Sequence, residues 1–319
     1  MRTGQNPAKK VTQVAKPKRI TVAVLTYIPF LKGYFKESLD VLKLCLGSIC
    51  KNTSLPYDLM VFDNGSCRET KDYLLSAQNE GIIQYLVLSE KNVGKGGAWN
   101  HIFNGAPGEI IAYCDSDALL YKGWLTESVR ILETFPNVGM VTARPMRTDK
   151  QLCSETIKWA ESQKGVYIEK GQLISYEEFE DFANTLGYGI EKVKKIYSTT
   201  SDIRLTYKDI QAFVGANHFQ FVGWKKVLRQ FMPLKMNKPV GQVQKLDEAI
   251  NKQGYLRLMI AKSLVQNMSN KIPEEIKKNN IRVRPDKKQG IIKILSKFPP
   301  LKKILLWIYD AIFRLYYKG

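Results

Sequence analysis

Residues 109–117 read EIIAYCDSD: Glu109, an apolar run from Ile110 to Cys114, then Asp115 and Asp117 with one residue between them. A short apolar run rich in β-branched residues and closed by turn-forming residues is the pattern of a strand buried on both faces. Two carboxylates at its end can be turned towards one point. Hard oxygen ligands in that position suit Mg²⁺ or Mn²⁺, which can also bridge a diphosphate. The competing reading is a turn or helix cap, which Asp and Ser also favour.

Upstream, Ile20–Leu25 (ITVAVL) is a second such run, ending at Thr26-Tyr27. Ser38–Ile49 spaces Leu39, Leu42, Leu46 and Ile49 as a helix does, and Asp58–Phe62 is a strand ending in Asp63-Asn64-Gly65-Ser66. A helix over 68–79, a strand at Ile82–Leu88, a glycine-rich turn at Asn92–Gly97 and a helix to about Asn104 lead to the quoted stretch. A helix near Leu125–Phe135 and a strand Val138–Thr142 follow it. Strand and helix alternating at this spacing predict an α/β, Rossmann-like fold, a mostly parallel central sheet flanked by helices. Ligands in such sheets sit outside the carboxyl ends of the strands. Three of those ends carry Thr26-Tyr27, Asp63-Asn64 and Asp115-Ser116-Asp117.

The alternation lapses over 150–210, with only a weak helical pattern at Tyr176–Leu186, as expected of a variable region that lines a second substrate. Gln211–Val222 reads as one strand, Trp224–Gln230 starts a helix, and Asp247-Glu248 opens another that stops at Gly254.

Charge is unevenly placed. The 319 residues carry +19, yet residues 20–270 hold 30 cations against 26 acids. The excess lies in residues 1–19, with six cations and no acid, and in 271–319, with thirteen cations and four acids. Basic ends on a near-neutral body favour an anionic membrane surface or solvated tails over nucleic acid. Five scattered cysteines without a CxxC pair suggest neither a disulfide framework nor a zinc site, and the two histidines exclude a histidine-rich metal centre. No apolar run reaches the roughly 20 residues that cross a bilayer, and no leader pattern opens the chain. The expected location is cytoplasmic. After Pro299-Pro300, the residues Leu301, Ile304, Leu305, Ile308, Ile312, Phe313, Leu315 and Tyr316 recur mostly at helical spacing among Lys302, Lys303, Asp310 and Arg314, the pattern of a basic amphipathic helix. It is expected to hold the protein peripherally on the inner face of an anionic membrane, the alternative being that the stripe docks on the catalytic domain.

At the strand ends, Asp63 can accept from a base N–H, and Asn64-Gly65 permits a tight turn. Asn92-Val93-Gly94-Lys95-Gly96-Gly97 suggests a phosphate-cradling loop, although it has neither the dinucleotide fingerprint nor the P-loop spacing. Lys95 reads either as a cation that offsets diphosphate charge or as a solvated surface lysine.

Together these residues resemble the inverting family 2 glycosyltransferases of the GT-A fold. The resemblance covers roughly 20–145 with a second patch at 211–270. It rests on Thr26-Tyr27, Asp63-Asn64-Gly65-Ser66, Asn92-x-Gly94 followed by Asn100, and the DxD-type Asp115-Ser116-Asp117. It implies a nucleoside-diphosphate sugar donor, UDP-sugar favoured, with Asp63 similar to the base-reading acid, Asp115 near ribose or metal, and Asp117 as ligand to Mn²⁺ or Mg²⁺. Leu246-Asp247-Glu248-Ala249-Ile250 resembles the family's acidic motif beside the acceptor, which makes Asp247, with Glu248 next, the expected base. Asn267 stands where relatives often carry a histidine near the metal. His218 is expected to be a structural histidine before an acceptor-facing one. The implied organisation is a basic disordered tail (1–19), a nucleotide-sugar-binding half (20–145), an acceptor-binding half (146–270) and a basic amphipathic helical extension (271–319). The implied acceptor is a glycan or lipid-linked hydroxyl in cell-envelope polysaccharide synthesis. The alternatives are a sugar nucleotidyltransferase and a non-catalytic basic protein that binds nucleic acid or membrane.

Overall fold

The structure, a computed structural model, describes residues 6–238, 241–279 and Trp307. The chain divides into two compact units, Met1–Pro273 and Glu274–Gly319. In the second, Glu274–Asn279 forms a short helix. The amphipathic stripe expected over 301–316 lies outside the described residues, apart from Trp307. Among the described residues no helix is long and apolar enough to cross a membrane.

In chain order the first unit contains β1 (Ile20–Thr26), α1 (Ser38–Asn52), β2 (Tyr57–Asp63), α2 (Arg68–Asn79), β3 (Tyr85–Leu88), α3 (Lys95–Gly105) and β4 (Ile110–Asp115). There follow β5 (Ala118–Leu120), α4 (Trp124–Thr134), β6 (Val138–Thr142), α5 (Ser154–Ser162), β7 (Val166–Gly171), α6 (Tyr176–Thr185) and α7 (Ile190–Thr199). The unit ends with β8 (Asp202–Tyr207), β9 (Ile210–Val214), β10 (Gln220–Trp224), α8 (Lys225–Leu228), α9 (Gln244–Lys252), β11 (Leu256–Ile260) and β12 (Val265–Asn267).

One sheet runs β3-β2-β1-β4-β10-β6-β11-β9-β8-β7. The strands β3, β2, β1 and β4 are mutually parallel, as the alternation predicts, and β11 is parallel to β6. Every residue of β1 is buried, which accounts for its unbroken apolar run. Gln211–Val222 is two strands rather than the one expected: β9 and β10 are separated by Gly215–Phe219, and they pair with β11 and β4 respectively. Gly215 supplies the break, with φ +132° and no room for a Cβ, which would lie 2.5 Å from Thr148 Oγ1. The 150–210 stretch is also more ordered than its pattern suggests. It holds α5, α6 and α7, and the antiparallel strands β7 and β8 extend the sheet beyond β9. A small second sheet pairs β12 with β5 and sets Asn267 opposite Ala118.

The core beneath β4 is aromatic. Trp99, Phe103, Tyr113 and Phe221 are all fully buried, with Trp99–Tyr113 and Tyr113–Phe221 centroids at 5.3 and 5.2 Å. Burying each such ring contributes roughly 1.5–3 kcal/mol. The cluster fixes the end of β4 against α3, so the side chains that follow it are carried by a rigid floor.

Candidate functional site

The three strand ends meet as the sequence predicts. Asn64 N donates to Thr26 O at 2.9 Å, and Ser116 N donates to Leu25 O at 3.1 Å, which ties the ends of β1, β2 and β4 into one edge. Thr26 is buried, its hydroxyl without a partner, and Tyr27 meets Phe35 edge-to-face at 6.3 Å.

Asp63 is fully buried (0 % exposed), and both its oxygens accept from Ser66 N at 3.2 Å. Burial raises its pKa, opposed by the bonds to Ser66. Its carboxylate thus braces its own turn and presents no open edge. Asn64 is the residue that reaches outward. Its Nδ2 donates to Asn92 Oδ1 at 3.0 Å and its Oδ1 accepts from Val93 N at 2.9 Å. Asn92 Oδ1 also accepts from Gly94 N at 2.8 Å, so the two asparagines staple the loop that leads into α3. Gly65 allows this approach, with φ +85° and a Cβ position only 3.0 Å from Lys91 C. Gly94, with φ 75°, is the N-cap of α3.

Lys95, the first residue of α3, reaches the carboxylates. Its Nζ lies 2.5 Å from Asp115 Oδ2, and Tyr113 Oη donates to Asp115 Oδ1 at 2.5 Å. Both oxygens of Asp115 are therefore engaged. Burial, and then the charge of Asp115, keep Tyr113 protonated by raising its pKa well above the usual phenol value. Ser116, half-buried, is anchored through its N–H. Asp117 is different. Its Oδ1 is buried without a hydrogen-bond partner. Burial, and then the negative charge of Asp115, push its pKa up to about 7, with Lys95 opposing.

An orphaned carboxylate oxygen beside a second carboxylate fits a hard divalent cation, since Mg²⁺ and Mn²⁺ accept all-oxygen sets and often take only one or two from protein. Among the described residues no group of three or more His, Cys, Asp or Glu side chains could hold a metal. The remaining ligands would have to come from diphosphate and water. Asn267 is close in the fold, because Met268 N donates to Asp117 O at 2.8 Å, but its Oδ1 is used by Ser269 N at 2.7 Å.

A second polar cluster lies across β4. Asp115 N donates to Phe219 O at 2.8 Å, so His218, one residue earlier in the chain, stands beside the carboxylate-bearing strand end. Its Nδ1 is 3.0 Å from Asp247 Oδ2. Asp247 Oδ1 accepts from Arg257 Nη2 at 2.7 Å, and that guanidinium also donates to Ala216 O and Leu152 O, each at 2.7 Å. The Arg257 and Asp247 side chains are 1 % and 3 % exposed, whereas His218 is 35 % exposed. Glu248, the neighbouring candidate, is exposed. The sequence reading missed Arg257 and Tyr113. For Arg257 a signal was available: an arginine inside the apolar run Leu256–Ile260 requires a buried partner. For Tyr113 there was none, since a tyrosine in a buried strand is ordinary.

Residues 33–185 match the sequence model of the family described as Glycosyl transferase family 2. Over 100 residues, 31 % of this chain, the sequence is 26 % identical to an uncharacterised glycosyltransferase of Nostoc sp.. The chain spans about a third (31 %) of that curated relative's length. Among solved structures, the mannosyltransferase PcManGT of Pyrobaculum calidifontis, in complex with GDP-Man and Mn²⁺, is similar at 18 % identity and TM-score 0.45, over 77 % of this chain and 55 % of that one. Residues 1–349 of S. aureus TarS give 14 % identity and TM-score 0.42 over 76 % and 58 %. TarS 1–349 in complex with UDP gives 21 % and 0.32 over 41 % and 36 %.

Proposed function

We propose that the chain is a family 2 glycosyltransferase, on the match of residues 33–185 to that family's model, and that it transfers a sugar, with inversion, from a nucleoside-diphosphate sugar to a hydroxyl of a glycan or lipid-linked acceptor. The observation that carries the proposal is the convergence at one sheet edge of Asp115, Asp117 with its orphaned oxygen, Lys95 and the loop stapled by Asn64 and Asn92. Glycosyl transfer takes precedence over nucleotidyl transfer and over a non-catalytic binding role on the family match.

In this reading, Asp117 with Asp115 beside it would hold Mn²⁺ or Mg²⁺, which supplies charge compensation to the departing diphosphate. Lys95, already at the carboxylates, adds a cation on the same side. Asn64 and Asn92 fix the loop from which α3 starts, and Thr26 offers a free hydroxyl at the floor. Asp63 acts through the turn it braces. The base function is assigned to the cluster around Asp247 rather than to Glu248, because Asp247 is bonded to His218 beside the strand end of β4 whereas Glu248 is exposed. Envelope-polysaccharide synthesis and peripheral attachment to an anionic membrane through 271–319 complete the proposal. UDP-sugar is the first donor to try.

The test is a thermal-shift panel of UDP, GDP, dTDP and CDP with and without Mn²⁺ on the intact chain and on Asp117→Ala. A ligand at 100 times its dissociation constant stabilises by about 2.7 kcal/mol. One nucleotide should give a metal-dependent shift that the variant loses. No shift with any nucleotide would refute the donor assignment.

A further inference from the structure

Asp247 cannot meet an acceptor hydroxyl where it stands. Its side chain is 3 % exposed, Arg257 occupies one oxygen and His218 the other. Of these two partners only the imidazole of His218 reaches solvent, at 35 % exposure against 1 % for Arg257. We infer that His218 Nε2 is the atom that takes the acceptor proton, with Asp247 and Arg257 as positioning residues behind it; this rests on the glycosyl-transfer reading above.

The chemistry follows from the hydrogen bonds. Asp247 is paired with a guanidinium, and an ionised carboxylate accepts only. The proton shared at 3.0 Å between His218 and Asp247 therefore belongs to Nδ1. A neutral imidazole that donates from Nδ1 keeps its lone pair on Nε2, which is the form a general base requires. Arg257 is itself fixed by Ala216 O and Leu152 O. Ala216 lies two residues before His218, so the same guanidinium that holds the carboxylate also holds the loop bearing the histidine. Asn217 adds a second anchor, its N–H donating to Thr142 Oγ1 at 2.8 Å.

The register supplies the location. Gln220 pairs with Cys114, and Asp115 N donates to Phe219 O, so the next residue outward, His218, is one strand across from the Asp115–Asp117 turn. Neighbouring strands lie about 4.8 Å apart, a separation that one sugar ring can span. In the step, the acceptor oxygen bonds to the anomeric carbon while the bond from that carbon to the β-phosphate oxygen breaks. The bonding pair leaves with the nucleoside diphosphate, and the acceptor proton passes to Nε2.

Two variants separate this role from a structural one. In His218→Asn the amide can replace Nδ1–H as donor to Asp247, but nothing replaces Nε2. In His218→Gln the amide falls nearer the Nε2 position. The assay is release of nucleoside diphosphate from a panel of sugar nucleotides that carry the base selected by thermal shift, with Mn²⁺ and with water as acceptor, so no unidentified acceptor is needed. His218→Asn should keep the nucleotide-dependent thermal shift and lose about 10²- to 10⁴-fold in release, the usual contribution of a general base. Release at the unchanged rate by His218→Asn overturns the assignment alone. Absence of any nucleotide-dependent thermal shift in the unchanged chain overturns the donor reading on which the assignment rests. A measurement on the unchanged chain needs no variant to fold: long-range ¹H–¹⁵N correlation of the imidazoles, simplified by there being only two histidines, with His101→Gln identifying which signal is which. The proton of neutral His218 should reside on Nδ1, and a proton on Nε2 overturns the assignment.

Discussion

Replacing Arg257 by leucine tests the buried cluster most directly. The substitution leaves the Asp247 carboxylate without its cation in a site almost closed to water, and frees Ala216 O and Leu152 O, each bonded at 2.7 Å. Breaking a buried ion pair from one side costs about 3–5 kcal/mol, and each carbonyl left unsatisfied adds about 1 kcal/mol or more. The expected loss is therefore roughly 5–7 kcal/mol, comparable with the whole stability of an ordinary domain. Arg257→Leu should accordingly fold poorly. The informative comparison is with Arg257→Leu/Asp247→Leu, which removes the buried charge together with its partner. It should recover about 3 kcal/mol or more, since replacing both members of a buried pair by apolar groups is often near neutral. Arg257→Lys keeps the charge but not the planar fork, and should fall between them. Equilibrium urea unfolding followed by tryptophan fluorescence measures all three, Trp99 and Trp124 being fully buried. If the double variant is no more stable than Arg257→Leu, within the 0.3–0.5 kcal/mol over which independent sites add, Arg257 does not hold Asp247 and the reasoning fails.

Three further outcomes follow from the donor side. The folded chain holds a proton on Asp117 up to about pH 7, whereas an unfolded aspartate releases it near 3.9; the site therefore loses stability as pH rises across that window. Without metal, Asp117→Asn should gain melting temperature over the unchanged chain between pH 4 and pH 7 and hold the gain above it, and a gain independent of pH would contradict the burial argument. Gly65→Ala places a Cβ 3.0 Å from Lys91 C at φ +85°; the left-handed conformation alone costs about 1–2 kcal/mol, and urea unfolding should show at least that loss. Lys95→Met removes the cation beside Asp115, and a hydrogen bond to a charged group contributes about 1.5–3 kcal/mol. Calorimetric titration with UDP and Mn²⁺ should show affinity down by roughly tenfold or more, and an unchanged affinity would place Lys95 outside the diphosphate site.

The alternation of apolar runs and helical spacing in residues 20–142 determined the parallel order of β1 to β4 and the meeting of three polar strand ends, because both follow from local periodicity and from the chirality of crossovers. Asp115 and Asp117 were legible for the same reason, since a strand end points where the strand points. What the sequence alone could not decide was which side chains are spent on one another. Asp63 and Asn64 are adjacent and equally polar, yet one is turned into its own loop and the other staples a loop nearly thirty residues away. Asp247 and Glu248 are likewise adjacent, and helical rotation buries the first against Arg257 while leaving the second in water. His218 acquired its partner only because β10 inserts antiparallel between β4 and β6, which brings Gly215–Phe219 to the carboxyl edge of the sheet. Local pattern encodes the direction of a strand or the face of a helix, but burial and pairing between distant segments depend on strand order, and strand order exists only in the folded chain.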